Sequence, residues 1–406
     1  MHARPLLSPF ALGTVLLAFA ACGTPAAPSA SSSSADDADH GGIAGAAELS
    51  EPQLHLTTIG GDGGILQLDL LDETVTEIGT IEPADAATGD GRYLFAETAE
   101  GLTIVDSGMW TWDHVDHFHY YRAEPRILGT VDGSGPATVA TTNSSTTGGT
   151  GVFFAGAGVA VLLDTAALSK GEIVERFRLE VEPHDGLVVP VGSFALVTGA
   201  DGTVSVHTAT GAATPGIAAE CLAPRGTITT RVGAVIGCHD GALLATVVDG
   251  TVEVERIPLP EGAGPVSSFA NREGRPTVAG LDESGRILLL DTRERAWTVL
   301  DAPAPLRQVS AVDDAHEHLL GLAEDGRVLV IDGASGALLA ATDPLLPETL
   351  AAAGLATVSL IADDQRAYLN APAEKALYEI DYADAARIAR VFETDGEPAH
   401  LALTGR

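Results

Sequence analysis

Eight times along the chain a run of aliphatic and β-branched residues is followed by a short polar turn and then by a second such run, which often ends in Asp. The copies include "LHLTTIGGDGGILQLDL", "RYLFAETAEGLTIVD", "GVFFAGAGVAVLLD", "TVAGLDESGRILLLD" and "LLGLAEDGRVLVID". Each reads as two antiparallel strands joined by a tight turn. The turn glycines Gly64, Gly101, Gly158, Gly202, Gly241, Gly285 and Gly326 recur 37 to 57 residues apart, and Ala376 completes the series. A unit of that length fits a four-stranded propeller blade. No long amphipathic helix competes, and "PETLAAAGLATV" is at most a short one. The prediction is an all-β fold, a β-propeller over residues 52–406 with eight blades, seven being the alternative. The final run, "GEPAHLALTGR", is a single strand without a following partner, placed to complete the first blade and close the ring. A pair of β-sandwiches is the competing architecture.

The N-terminus changes the compartment. Residues 1–21 combine Arg4, a short apolar run and small residues before Cys22, the pattern of a lipoprotein signal peptide rather than a membrane span. Cys22 is the expected lipidation site, and plain secretion is the alternative. Residues 22–51 are rich in Ser, Ala, Pro, Gly and Asp and read as a flexible acidic tether. The charge of −34, from 56 acidic against 22 basic residues, argues against a nucleic-acid partner. It leaves the lipid anchor as the expected contact with the membrane. Cys221 and Cys238 lie 17 apart in sequence outside the reducing cytoplasm and are expected to form a disulfide, worth roughly 3 kcal/mol by loop-closure entropy.

The candidate chemistry concentrates in "TWDHVDHFHYYR". His114, His117 and His119, with Asp116 between them, place three of the chain's 12 histidines within six positions. In an extended chain His117 and His119 share a face, and a bend near Val115 returns His114 to their side. Three imidazoles and a carboxylate suit a four-coordinate zinc site, and imidazole also suits copper and nickel. The carboxylate has a second possible role, orienting a ligand histidine. A pH-sensing cluster is a further reading. His184, in "PHDGLVVP", and His400, in "EPAHLAL", fall at equivalent starts of innermost strands and are candidates to face one axial cavity. By strand count they lie on the opposite rim from the cluster. His239, in the turn beside the predicted disulfide, is another candidate ligand. His316 and His318 alternate as a solvated strand start would, and His40 stands alone in the tether. There is no Gly-x-Ser-x-Gly elbow and no phosphate loop. A metal-dependent hydrolase using Asp113 or Asp116 as base is the enzymatic alternative. A non-metal propeller module for a peptide, glycan or protein partner is the other.

"WDHVDHFHYYRAEPRI", "PHDGLVVP", the pair "ECLAPRG…GCHDG" and the ending "EIDYADAARIARVFETDGEPAHLALTGR" together resemble the AztD-type zinc metallochaperones over residues 54 to 406. Those are extracytoplasmic β-propellers that hand zinc to the solute-binding protein of a zinc ABC importer. The resemblance implies Zn2+ as cargo, zinc ligation by His114, His117 and His119 with Asp116, a further role for His184, and delivery to such a solute-binding protein; the absence of a catalytic constellation argues against an enzyme, and a monomer is expected. One departure stands out. Where the family has a Leu-His-Gly turn after the first Cys, this chain has Pro-Arg-Gly. Arg225 does not bind metal, so any site at that position is built differently here. The family's histidine-bearing N-terminal segment is matched only by His40.

Overall fold

A computed structural model describes residues 42–114, 117–352 and 354–406. The proposed signal segment, Cys22, His40, Val115 and Asp116 lie outside the described residues. Nearly all regular structure is antiparallel sheet. Each repeat hairpin of the sequence supplies two neighbouring strands of a sheet of its own, as with Tyr93–Thr98 and Gly101–Asp106, or Ile287–Asp291 beside Thr277–Leu281. Seven of these sheets have four strands. The exception is Thr277–Leu281, Ile287–Asp291, Ala296–Leu300, whose inner edge is covered only by isolated bridges, Val266 to Asp282 and Ala270 to Ala279. One sheet takes strands from distant parts of the chain, in the order His400–Thr404, His55–Ile59, Gly64–Asp69, Val75–Thr80.

The burial pattern explains the sequence pattern. Middle strands are covered on both faces and therefore read as continuous apolar runs: Gly149–Phe154 is buried throughout, whereas the outer strand Val75–Thr80 is largely exposed. The core is divided into clusters, each filling the space between consecutive sheets. Tyr93, Phe95, Leu102 and Ile104 meet Val152, Phe154, Val161 and Leu163 in one of them. Another joins Tyr368, Leu377 and Phe392 to Leu56, Leu68, Leu401 and Leu403, so the last sheet packs on the first. Residues on or near the first strands of several sheets meet at one cavity. Thr88, Val139–Asn143, Thr227–Thr229, Asn271 and Arg406 line one cavity of about 190 Å³. Thr141–Asn143 and Arg406 lie just beyond the finishing ends of Ala137–Ala140 and His400–Thr404, and Thr88 lies next to the end of Ala86–Gly89, so the cavity marks one rim, called here the finishing rim.

Cys221 and Cys238 form the expected disulfide, and both are buried. The short helix Pro347–Ala352 forms within "PETLAAAGLATV", its first-turn N–H groups of Glu348 and Thr349 capped by the Glu374 carboxylate. Within the segment expected to be tether, Ala47–Leu49 is instead a strand, paired with Phe118–Arg122. Among the described residues no helix is long and apolar enough to cross a membrane.

Candidate metal centre

The segment between the third and fourth strands of the second sheet forms a hairpin, Met109–Asp113 with Phe118–Arg122, and Ala47–Leu49 adds a third strand. Gly108 starts it at φ +72°, where a Cβ would meet the Ala123 carbonyl oxygen at 2.4 Å, so glycine alone fits the take-off. The register pairs Trp110 with Tyr121 and Trp112 with His119, and the His114 N–H donates to the His117 carbonyl at 2.9 Å. Directly opposed residues share a face. One face of the hairpin is therefore a ladder of rings, aromatic at the base and imidazole at the tip. Trp110 stacks on Tyr121 at 5.2 Å, Trp112 lies 5.7 Å from His119, and His114 lies 5.0 Å from His117. His117 and His119 are 4.6 Å apart, and His114 and His119 are 6.1 Å apart.

The base of this ladder is fixed by a buried charge pair. Arg92 and Asp106, each about 1% exposed, form a two-armed bridge with both N···O distances at 2.9 Å. The Arg92 guanidinium lies 4.0 Å from the Trp110 ring centroid. In so dry a place that contact is worth about 2 kcal/mol. Two further bonds tie the hairpin to the finishing rim: the Thr111 hydroxyl donates to the Gly405 carbonyl at 3.0 Å, and Gln67 Nε2 to the Ser107 carbonyl at 2.9 Å.

Glu48, on the added strand, reaches the imidazole face. Its Oε1 takes the Nδ1–H of His119 at 2.6 Å. That bond fixes the tautomer and places the lone pair on Nε2, the arrangement commonly found behind metal-binding histidines. Glu48 has no local sequence signal, because it is 71 residues away and belongs to a segment with tether composition. Imidazoles sharing one tetrahedral zinc at about 2.0–2.1 Å would have centroids about 5 Å apart. The three observed separations bracket that value. Among the described residues no group of three or more His, Cys, Asp or Glu side chains stands ready to hold a metal ion.

The other candidate residues lie elsewhere. His184 precedes the first strand of its sheet, at the starting rim, and lines a cavity of about 440 Å³ with Thr138, Asp185 and Arg225. Its Nδ1–H donates to the Glu182 carbonyl at 2.7 Å, and Nε2 accepts from the Thr198 hydroxyl at 3.3 Å. His400 is buried, and its Nε2–H donates to the Ala84 carbonyl at 3.0 Å. His400 does not line the His184 cavity. It begins the strand whose far end leads to Gly405, five residues or about 16 Å from the carbonyl that holds the hairpin. His184 and His400 are thus not brought together, and neither joins the cluster. His239 is exposed in its turn, where its N–H donates to the Leu222 carbonyl at 2.9 Å. Arg225 pairs with Glu283 at 2.9 Å.

The cavity at the finishing rim holds two acids that the sequence reading passed over. Burial pushes the Asp90 carboxyl up to about 6, against the bonds it accepts from the Tyr93 and Arg92 N–H groups. Burial likewise pushes Glu273 up to about 7, with Arg406 Nε 3.0 Å away opposing the shift.

The fold is similar to that of AztD from Citrobacter koseri. For its apo structure the TM-score is 0.73 at 19% identity, covering 87% of this chain and 98% of that one. For a second crystal structure of the same protein the TM-score is also 0.73, at 20% identity. Dihydro-heme d1 dehydrogenase NirN, in complex with DHE, is a more distant likeness at a TM-score of 0.55 and 16% identity, covering 87% of this chain and 75% of that one. No family model and no curated protein matches the chain. The chain has an AztD-type fold.

Proposed function

We propose that this chain is an extracytoplasmic zinc metallochaperone, tethered through a lipid on Cys22, that carries Zn2+ on His114, His117 and His119 and passes it to the solute-binding protein of a zinc ABC importer. The observation that carries this reading is the imidazole face of the hairpin: three rings at near-coordinating separations, one of them already oriented by the Glu48 carboxylate. The AztD-type fold and the motif resemblance support it. Asp116, between two of the ligands in sequence, is proposed as the fourth. Small rotations of the rings would close the set around the ion, and a site completed only on loading suits a carrier that must also release. The protein would act by binding and transfer, not by turnover. We read the eight sheets as the blades of one closed ring, sealed by His400–Thr404; the cluster joining last sheet to first supports this. On this reading the working form is a monomer.

Metal content by mass spectrometry on residues 23–406, beside a His114/His117/His119→Ala variant, tests the assignment. Near-stoichiometric zinc that disappears in the variant is expected. Zinc retained by the variant would move the cargo site away from the hairpin. A second reading, a binding module for a peptide, glycan or protein, draws on the 440 Å³ cavity around His184. It predicts partner binding that the triple variant leaves unchanged.

A further inference from the structure

The turn before the second strand of the seventh sheet holds another pair of imidazoles on the finishing rim. Asp314 organises it. Its Oδ1 accepts the backbone N–H groups of His316 at 3.1 Å and His318 at 3.0 Å, and its Oδ2 takes the His318 Nδ1–H at 2.6 Å. The intervening Glu317 sits at φ +55°, and its carbonyl accepts the Gly333 N–H at 2.9 Å, which pins the turn against the next hairpin. The result brings the His316 and His318 rings to 5.5 Å between centroids. Two imidazoles on one zinc or copper ion would stand about 5 Å apart. His318 is supported from behind by the Tyr382 ring, edge-on at 5.9 Å, while His316 is exposed. A solvated strand start would need none of this ordering. The carboxylate behind His318 repeats what Glu48 does for His119, from an unrelated stretch of sequence.

We propose that His316 and His318 form a second transition-metal site, for Zn2+ or Cu2+, with two protein nitrogens and the remaining positions left to water or to a ligand from a partner. Imidazole pairs select this borderline class over Ca2+ and Mg2+, which prefer oxygen. With two protein ligands the ion would exchange freely, so the site is a place of first capture and not of storage. The proposal rests on the chemistry of these side chains and not on the zinc-carrier reading.

The test uses the untagged, metal-stripped chain carrying His114/His117/His119→Ala, titrated with Cu2+ and followed by electron paramagnetic resonance. Two-nitrogen coupling at one equivalent is expected. Adding His316→Ala should weaken binding by about tenfold and reduce the coupling to one nitrogen. No copper signal in the triple variant, or a signal that His316→Ala leaves unchanged, would overturn the proposal while leaving the hairpin reading intact. Should the triple variant fold poorly, His316→Ala alone is informative: as an exposed substitution it should lower the copper stoichiometry of the otherwise unaltered chain by one, and an unchanged stoichiometry would overturn the proposal.

Discussion

The histidine hairpin and the surroundings of His184 carry the same side chain at opposite rims, and the protein treats the two differently. At the hairpin, imidazoles face one another, and Glu48, not a backbone carbonyl, orients one of them. At the other rim His184 is held by the Glu182 carbonyl two residues away and by Thr198, and it packs edge-on against Phe153 at 4.7 Å. A ring whose two nitrogens are committed to its own fold must break bonds to bind metal. A ring backed by a carboxylate on one side becomes a better ligand on the other. On the proposed reading, what separates the hairpin imidazoles from His184 is what stands behind each ring.

That contrast can be broken or sharpened by experiment. The largest effect should come from His114/His117/His119→Ala, which is expected to reduce zinc binding from tight to millimolar, measured by competition with a chromophoric chelator. Tight zinc in that variant would end the distinction between the two rims. Next, Arg92→Leu takes from buried Asp106 its two-armed partner, leaving Arg126 at 3.5 Å, and removes the support beneath Trp110. A stability loss of about 3–5 kcal/mol by denaturant titration is expected. Zinc affinity should fall too if the ladder positions the tip. Glu48→Ala should weaken zinc about 10- to 100-fold without altering the melting temperature of the apoprotein. An unchanged affinity would make the Glu48 contact incidental.

Two smaller effects test the structural side of the contrast. His184→Ala should leave zinc affinity unchanged. His55, buried near the hairpin, offers a pH test. Burial lowers its folded-state pKa, against the Gln53 carbonyl and Asp69, which favour the charged form. The unfolded chain therefore takes up a proton first as pH falls below about 6.5, and stability declines in that window. His55→Gln should flatten the slope of melting temperature against pH below 6.5, and an unaltered slope would count against a structural, neutral His55.

How much of this was legible in sequence differs between fold and site. The repeat hairpins were readable because middle strands covered on both faces must be apolar over their whole length, and their turns need Gly202, Gly285 or Gly326 at positive φ. The alternation Trp110, Trp112, His114 followed by His117, His119, Tyr121 already encodes one face of a hairpin, given a reversal between His114 and His117. Glu48 was not readable, because a cross-strand neighbour 71 residues away leaves no spacing to find. Nor were the carbonyls behind His184 and His400: whether a histidine is occupied by backbone depends on loop paths that side-chain identity does not encode.

The bond from Thr111 to Gly405 also sets a timetable. These residues are 294 positions apart, so a ribosome adding about 5–20 residues per second delivers the acceptor roughly 15–60 s after the donor. Until then the hairpin lacks one of its ties to the rim, and the strand His400–Thr404 beside it does not yet exist. A nascent chain thus carries its histidine hairpin before the seat on the rim is complete.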